Sequence, residues 1–316
     1  MSLARRAFRR LRRSDHCSVQ RIETTGKGAD VFVISSPRSG STWLMRSVSA
    51  HPEVFVTEQR LFGDFAEFWL DRDGQKRLRI TLDHVIHRMV SHMNHEGLAC
   101  TSQDLEDSLL TSWSAATASV LRALSQSSII IDKITPYQGT SENVLNSILK
   151  HYPRAKIIHL IRDGRDVVVS GVFDWIGRNE GGDDSHRARQ DLTQVGQFFA
   201  TGEVEFWSRT WVEPIQALRM SGVLHHEIRY ELMLQDQHKE LQRLFTWLGV
   251  DSSTSAVATC IESGSLLKKN IGENPLAHQG RSAKAGEWHR YFTPADLEQM
   301  YAICGTELRN LGYLRS

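Results

Sequence analysis

The chain has 316 residues, of which 40% are hydrophobic and 24% are charged, and its formal net charge is +1. This composition is typical of a globular protein with one large α/β domain or two small ones, and the balanced charge excludes a general preference for nucleic acid. The four cysteines form no Cys-x-x-Cys pair, which argues against zinc and against a disulfide framework, and favours a reducing, cytoplasmic location. No apolar run approaches the roughly 18 residues that span a bilayer.

The N-terminus is strongly basic, with six arginines between residues 5 and 13, before the first acidic residue. We expect residues 1–25 to form a disordered, solvated arm. Weak contact with an anionic membrane surface and an organellar targeting role both stay open for this arm. Residues 26–316 are expected to form a single domain.

The first recognisable element is an apolar, β-branched run at residues 31–34, which predicts a strand. Residues 35–40 follow, and all of them except Arg38 are small or turn-forming. Ser41 and Thr42 then open a segment with the apolar spacing of a helix. A strand, a small-residue loop and a helix in this order aim backbone N–H groups at an anion, and Gly40 lets the backbone approach it closely.

Two other interpretations of this loop are weaker. It could be an ordinary strand-to-helix turn capped by a serine. A nucleotide-triphosphate loop needs Gly-Lys directly before the Ser/Thr, but Ser39-Gly40 stands there. No strand ends in an aspartate that would clearly hold magnesium. The loop is therefore predicted to bind an anion without a metal.

Strand and helix patterns alternate along the rest of the chain. A second strand at residues 54–56 ends at Glu58, and residues 59–125 are predicted to be a helical insertion covering the acceptor side of the site. Further strands are predicted at residues 127–133, 156–161 and 227–230, and helices at 141–152, 203–220, 236–249 and 294–311. Residues 263–287 lack apolar periodicity and are predicted to be a long loop. The fold class is therefore α/β, with three α/β/α layers, a mostly parallel central sheet and a site at the strand carboxyl ends.

Two stretches resemble one known family. PRSGSTWL, at residues 37–44, is similar to the 5′-phosphosulfate loop of sulfotransferases that use 3′-phosphoadenosine 5′-phosphosulfate (PAPS). IIHLIRDGRDVVVS, at residues 157–170, resembles the segment in which this family binds the 3′-phosphate through an arginine and a serine eight residues later. Arg162 and Ser170 occupy those positions. The resemblance implies a P-loop-like nucleotide-binding core, PAPS as co-substrate and no metal.

The same resemblance implies a set of cofactor contacts. The 5′-phosphosulfate would be bound by the loop residues Arg38, Ser39, Gly40, Ser41 and Thr42. Trp43 would pack on the adenine, and Tyr230 would border the nucleotide. GRSAKAGEW, at residues 280–288, resembles the C-terminal loop of the family, in which Arg281 matches an arginine while Ser282 and Ala283 replace its lysine and glycine.

The implied reaction moves a sulfuryl group from PAPS to a hydroxyl, or less readily an amine, by in-line attack. Lys133, in a segment similar to the lysine segment of carbohydrate and protein sulfotransferases, would stabilise the leaving oxygen. The cytosolic small-molecule branch has a histidine shortly after this lysine, and none stands here. Glu58 is the predicted general base, since other branches place a glutamate after the second strand; Asp132 is the second candidate.

The acceptor is expected to be a small molecule, a lipid or a carbohydrate, because four aromatic side chains could line an apolar pocket: Phe62, Trp69, Phe173 and Trp175. Two other functions stay open, a nucleotide kinase or NTPase of P-loop type and a non-catalytic protein that binds PAPS or its product. The histidines at residues 84–95 have helical spacing but no evident third ligand, so a solvated helix face is favoured over a metal site. The sequence leaves the oligomeric state open.

Overall fold

The computed structural model describes residues 30–58, 73–97, 101–179, 196, 198–271 and 284–314. The basic arm and the three predicted cofactor contacts at residues 281–283 lie outside these ranges, so the predictions made for them are not addressed below. None of the helices in the described ranges is both long enough and apolar enough to cross a membrane.

The sheet in this part of the chain has five strands: β1 (Asp30–Ile34), β2 (Val54–Glu58), β3 (Ile129–Ile134), β4 (Lys156–Ile161) and β5 (His225–Arg229). Their spatial order is β2-β3-β1-β4-β5, and all four neighbouring pairs are parallel. The carboxyl ends of the strands therefore meet at one edge of the sheet, where α/β proteins place their ligands.

Helices follow nearly every strand: α1 (Ser41–Val48), α2 (Asp73–His95), α3 (Ser102–Ser125), α4 (Ser141–His151), α5 (Gly164–Asn179), α6 (Glu203–Ser221), α7 (Tyr230–Gln235), α8 (Gln237–Leu248), α9 (Thr254–Ile271) and α10 (Pro294–Asn310), with a short 3₁₀ helix at Glu287–Arg290. The predicted α/β class with a parallel central sheet is confirmed. Both α2 and α3 fall in the region predicted to be a helical insertion.

The two faces of the sheet carry separate cores, because successive strand residues point to opposite sides. Val31 and Val33 of β1 pack with α1, α8 and α9, while Phe32 and Ile34 pack with α4 and with Ala118 of α3. A third cluster joins α5, α6 and α10 beside the carboxyl end of β4. The sheet is thus covered on both faces, as the largely apolar, β-branched central strands β1, β3 and β4 require.

The last helix shows how local sequence sets an element boundary. Thr293 caps α10: its hydroxyl oxygen accepts a hydrogen bond from the Asp296 N–H at 3.2 Å. The Asp296 carboxylate in turn accepts the Thr293 N–H at 2.9 Å. This reciprocal pair is a capping box, which satisfies two N–H groups at the start of the helix.

The prediction of a long loop at residues 263–287 is wrong for its first part, because α9 continues to Ile271. Gly264 lies inside this helix and packs against Ser47 of α1. A Cβ added at Gly264 would lie 2.7 Å from Ser47 Oγ and 3.2 Å from Ser47 Cα. The glycine therefore permits a close helix–helix approach, which a local pattern does not reveal.

Candidate functional site

The loop between β1 and α1 presents backbone donors at the sheet edge. Gly40 has a φ of 95°, and its carbonyl accepts the first helical hydrogen bonds, from the N–H groups of Trp43 at 3.0 Å and Leu44 at 3.1 Å. The amides of Ser41 and Thr42 precede these bonds, so helix geometry gives them no intrahelical acceptor. The N-terminus of α1 is therefore arranged to bind an anion.

Arg38 links this loop to α5. Its backbone is left-handed, with a φ of 69°. The guanidinium donates from Nε to Ser170 Oγ at 3.3 Å and from Nη1 to the buried Asp174 carboxylate at 2.9 Å. The Arg38 carbonyl accepts a hydrogen bond from Arg162 Nη1 at 3.2 Å. The loop and the residues predicted to bind the 3′-phosphate are therefore adjacent, and the Arg38 guanidinium faces Ser170.

Arg162, at the carboxyl end of β4, is buried and packed against an aromatic pair. Its guanidinium lies 4.6 Å from the ring centroid of Tyr230, whose ring meets Trp43 edge-on at 5.6 Å. Burial raises the pKa of Tyr230, although the Arg162 charge acts in the opposite direction. The Arg162 Nε has no hydrogen-bond acceptor within the part of the chain that the structure describes. A buried, unsatisfied cationic donor of this kind is suited to an anionic ligand.

Asp166, in the first turn of α5, holds the C-terminal segment against this site. Its carboxylate accepts the N–H groups of Gly286 at 2.7 Å and Trp288 at 3.0 Å. Burial raises the pKa of Asp166, while these hydrogen bonds and the nearby Arg162 act against that rise. Arg162 also donates from Nη2 to the Lys284 carbonyl at 3.4 Å. The predicted contacts at residues 281–283 directly precede the segment fixed in this way.

A second set of buried polar groups supports the turn after β4. The Asp163 N–H donates to Glu231 at 2.9 Å, and the Tyr313 hydroxyl donates to the other oxygen of the same carboxylate at 2.8 Å. Arg165 forms two side-chain hydrogen bonds with the Asp163 carboxylate and lies 3.9 Å from the Trp288 ring centroid. The turn that carries the Arg162 side chain is thus held from both α7 and the C-terminus.

Lys133 and Glu58 form an ion pair beside the loop. They are Cα partners on β3 and β2, and Lys133 Nζ lies 2.5 Å from Glu58 Oε1. The lysine side chain is 7% exposed and the glutamate side chain 62% exposed, so the carboxylate can reach an incoming ligand. Asp132 is fully buried and, as the residue next to Lys133 in the strand, points to the opposite face of the sheet. This arrangement favours Glu58 over Asp132 as a base.

The structure brings some of the residues predicted for the site together and places others elsewhere. Tyr230 begins a helix rather than ending a strand, but its ring packs on Gly40, as a border of the site would. Phe173 is 3% exposed and packs against Phe198 and Tyr291 in the core, so the expectation that it lines an acceptor pocket is wrong. Trp175 is 56% exposed. Phe62 and Trp69 lie outside the described residues.

Two polar residues of the site were missed by the sequence analysis, and both lie on α5. Asp166 is part of the RDGRD stretch, and an acidic side chain in the first turn of a helix is a recognisable signal of an interaction with backbone N–H groups, although its partners Gly286 and Trp288 lie 120 and 122 residues later. Asp174 carries no comparable signal, because its partner Arg38 is 136 residues away in the chain. Its spacing of four from Ser170 does place both on one helix face.

Comparisons with known proteins agree with this geometry. A model of the Sulfotransferase family matches residues 30–254. Sulfotransferase 2A6 of Mus musculus is 27% identical over 198 residues, which cover 56% of this chain and 66% of the mouse protein. Sulfotransferase 2A6 of Rattus norvegicus is 27% identical over 159 residues, or 46% of this chain and 54% of the rat protein. The matches thus span between half and two thirds of these relatives.

A solved structure shares the fold. The mouse sulfotransferase SULT7A1, complexed with PAP, aligns over 89% of this chain and 85% of its own with 17% identity and a TM-score of 0.50. At this identity the likeness concerns the fold alone, and it confirms the P-loop-like sulfotransferase architecture predicted from the two motifs. Because the family model covers well over half of the chain, including the anion-binding loop, Arg162 and Ser170, this protein belongs to the sulfotransferase family.

Proposed function

We propose that this protein transfers the sulfuryl group of PAPS to a hydroxyl group, with an amine as a less favoured acceptor. The acceptor oxygen attacks the sulfur in line and forms the new S–O bond. The bond from sulfur to the bridging oxygen of the 5′-phosphate breaks, and its electron pair stays on the phosphate. The acceptor proton goes to a carboxylate, so adenosine 3′,5′-bisphosphate (PAP) and the sulfated product are released.

One observation carries this proposal: donors for two anionic groups converge at the carboxyl ends of β1 and β4. The amides at the start of α1 supply one set, and the buried Arg162 with Ser170 supplies the other. Arg38 lies between them, since its carbonyl accepts from Arg162 and its side chain donates to Ser170. PAPS carries charge at both its 3′ and its 5′ end, so it matches two adjacent sites of positive potential.

The chemistry is proposed to take place beside the Lys133–Glu58 pair. Lys133 lies near the carboxyl end of β3, which neighbours β1, and Glu58 ends β2, which pairs with β3 on its other side. Both residues therefore lie on the same edge of the sheet as the anion-binding loop. The Lys133 ammonium would stabilise charge on the leaving oxygen, and Glu58 would take the acceptor proton. The donors are fixed before the reaction, so the transition state needs no metal for this role.

The proposal also covers the acceptor side of the site, the domain organisation and the cellular compartment. We propose that residues 59–125 cover the acceptor side and that the chain forms a single domain from residue 26 onwards. Cys260 and Cys304 are buried, free thiols, and burial raises their pKa values to about 11 and about 12, which suits a reducing compartment such as the cytoplasm. A small molecule, lipid or carbohydrate remains the proposed class of acceptor.

The cofactor assignment is tested by thermal unfolding with PAP. PAP should raise the melting temperature, since a ligand at 100 times its Kd stabilises the native state by about 2.7 kcal/mol. Arg162→Ala should remove most of this rise, because it deletes a buried cationic donor. Arg209→Ala, which removes an exposed arginine paired with Glu205 on α6, should retain it.

The competing functions give different results in the same experiment. Stabilisation by magnesium with ATP or GTP, and none by PAP, would contradict the proposal and favour a kinase or NTPase. Stabilisation by PAP without transfer of radiolabelled sulfuryl group from PAPS to any hydroxyl in a broad acceptor library would favour a binding protein.

Asp166→Asn is predicted to weaken PAP binding with little loss of global stability. Asparagine can accept at most one of the two N–H groups through its oxygen and carries no charge, so we expect the Kd for PAP to rise about tenfold. The pKa of Asp166 is raised by burial, so its favourable contribution to stability exists below the ordinary pKa of 3.8 and is lost as the pH rises through the folded value. At neutral pH the uncharged asparagine therefore avoids the free-energy cost of burying a charged carboxylate.

Calorimetric titration with PAP and thermal unfolding measure the two effects separately. Asp251→Asn is the matched control, because Asp251 also accepts a backbone N–H, from Ser253 at 2.9 Å, on the exposed surface. A large fall in melting temperature with an unchanged Kd would assign Asp166 a purely structural role.

A further inference from the structure

Three side chains that could bind a metal share one face of the β4–β5 pair. His225 and Glu227 are two residues apart on β5, so they point to the same side of the sheet. His159 on β4 is the Cα partner of Glu227 and points to that side too. One ligand atom from each of the three lies within 4.8 Å of the others.

Both imidazoles are placed to bind a metal. His159 is 3% exposed, and His225 and Arg219 lie near it. An imidazole binds a metal through a ring nitrogen that carries a lone pair. The His225 Nδ1 lies 3.0 Å from the Val223 carbonyl oxygen, which can only accept a hydrogen bond. The proton is thus placed on Nδ1, and Nε2 is left as the metal-binding nitrogen.

The carboxylate is oriented by a neighbour. Glu227 accepts a hydrogen bond from Arg229 Nε through Oε1 at 3.0 Å. This bond fixes the carboxylate plane and uses one oxygen, so Oε2 is the oxygen placed to bind a cation. Hydrogen-bonded carboxylates and histidines that donate to backbone carbonyls are the usual surroundings of metal ligands.

We propose that His159, His225 and Glu227 form a binding site for a divalent transition-metal ion, with zinc as its occupant, that joins the edge strand β5 to β4. Two imidazole nitrogens and one carboxylate oxygen are a common zinc ligand set, with water completing the coordination. The site lies on the sheet face and contains no cysteine, and the sulfuryl transfer does not depend on it.

The surrounding charges select the kind of metal. Arg219 is paired with Glu307, and Arg229 also donates to the Leu311 carbonyl, so both arginines are fixed near the cluster. Two positive charges disfavour cations such as magnesium and calcium, which bind oxygen ligands mainly through charge. A metal that binds imidazole strongly is favoured instead.

The consequence is a stabilised edge strand. β5 lies at one edge of the sheet, and edge strands have pairing partners on one side only. It leads directly into Tyr230, which packs on Gly40. A cation shared by β4 and β5 would therefore fix the strand that delivers this aromatic ring to the nucleotide site.

Cobalt substitution tests the site on the full-length chain after treatment with a chelator. One equivalent of Co²⁺ should produce visible ligand-field absorption, and Zn²⁺ should abolish it by displacement. Zn²⁺ should also raise the melting temperature by several degrees, whereas Mg²⁺ should not. Glu227→Gln and His225→Ala, both at half-buried positions on an edge strand, should each weaken Co²⁺ binding about tenfold or more.

The main competitor is adventitious binding to the exposed histidines of α2, which are His84, His87, His92 and His95. Replacing all four by alanine should leave the one-equivalent absorption intact. The proposal is overturned if Co²⁺ gives no saturable band. It is equally overturned if the band survives Glu227→Gln and His225→Ala but is lost in the α2 variant. Each of these measurements is independent of PAP binding and of transferase activity.

Discussion

Replacing Glu58 by glutamine is expected to lower kcat for sulfuryl transfer by roughly 10²–10⁴-fold, the usual contribution of a general base. Glutamine keeps the size of the side chain but cannot accept the proton of the attacking hydroxyl. The KM for PAPS should change little, because Glu58 lies at the carboxyl end of β2 rather than in the nucleotide loop. Initial rates with saturating PAPS and a responsive acceptor measure the effect.

The ion pair with Lys133 complicates this result, since Lys133 Nζ lies 2.5 Å from the Glu58 carboxylate. The pH dependence of kcat distinguishes two roles for Glu58, that of a general base and that of a residue that only positions Lys133. The fall of kcat towards acid pH, which protonation of the base causes, should disappear in Glu58→Gln if the carboxylate is the base. A slow variant that keeps this acid limb would reassign Glu58 to positioning Lys133.

Two companion variants complete the experiment. Lys133→Ala should lower kcat by about 10²–10³-fold, the typical cost of losing one donor that stabilises transition-state charge. Glu205→Gln changes an exposed glutamate that is likewise ion-paired, to Arg209, and should leave kcat unchanged. Full activity of Glu58→Gln would refute the base assignment while leaving the family assignment intact.

Contiguous motifs supplied most of the residues of the candidate nucleotide site. The stretch from β1 through the small-residue loop into α1 is one continuous segment, so its chemistry can be read directly from residues 31–48. The same holds for Arg162 and Ser170, which one strand and two helical turns place in fixed relation. Helix caps such as Thr293 are equally local, since a capping box needs only four residues.

Features that depend on distant parts of the chain could not be predicted. Arg38 was expected at the 5′-phosphosulfate, but nothing local indicates that its guanidinium donates to Asp174, 136 residues later. The helix over residues 263–271 was missed because apolar periodicity is absent there, and the contact of Gly264 with Ser47 of α1 involves a residue more than 200 positions away in the chain. Packing of this kind overrides local propensity.

The preference for Glu58 over Asp132 as the base depends partly on strand geometry that the sequence contains. Asp132 and Lys133 are neighbours in a predicted strand, and neighbouring strand residues face opposite sides of a sheet. Asp132 therefore faces away from Lys133, which favours a carboxylate from another strand. The parallel register of β2 and β3, which makes Glu58 the partner of Lys133, completes that argument and needs the structure.

Gly40→Ala is expected to abolish measurable PAP binding at concentrations that saturate the unchanged protein. A Cβ at this position would lie 2.5 Å and 2.7 Å from two ring carbons of Tyr230, and the φ of 95° strains any residue with a side chain. The Tyr230 ring must then move, and the Arg162 guanidinium that stacks on it at 4.6 Å loses its support. Titration calorimetry with PAP and thermal unfolding report binding and stability separately.

Gly139→Ala separates crowding from backbone strain. Gly139 has a φ of 81°, but a Cβ there would meet nothing within 4 Å, so its replacement should cost about 1 kcal/mol of stability and leave PAP binding unchanged. If crowding of Tyr230 is the cause, the combined variant Gly40→Ala, Tyr230→Ala should bind PAP better than Gly40→Ala alone, a non-additive result that strain by itself cannot produce. Unchanged PAP affinity in Gly40→Ala would mean that the nucleotide binds elsewhere than between α1 and Arg162.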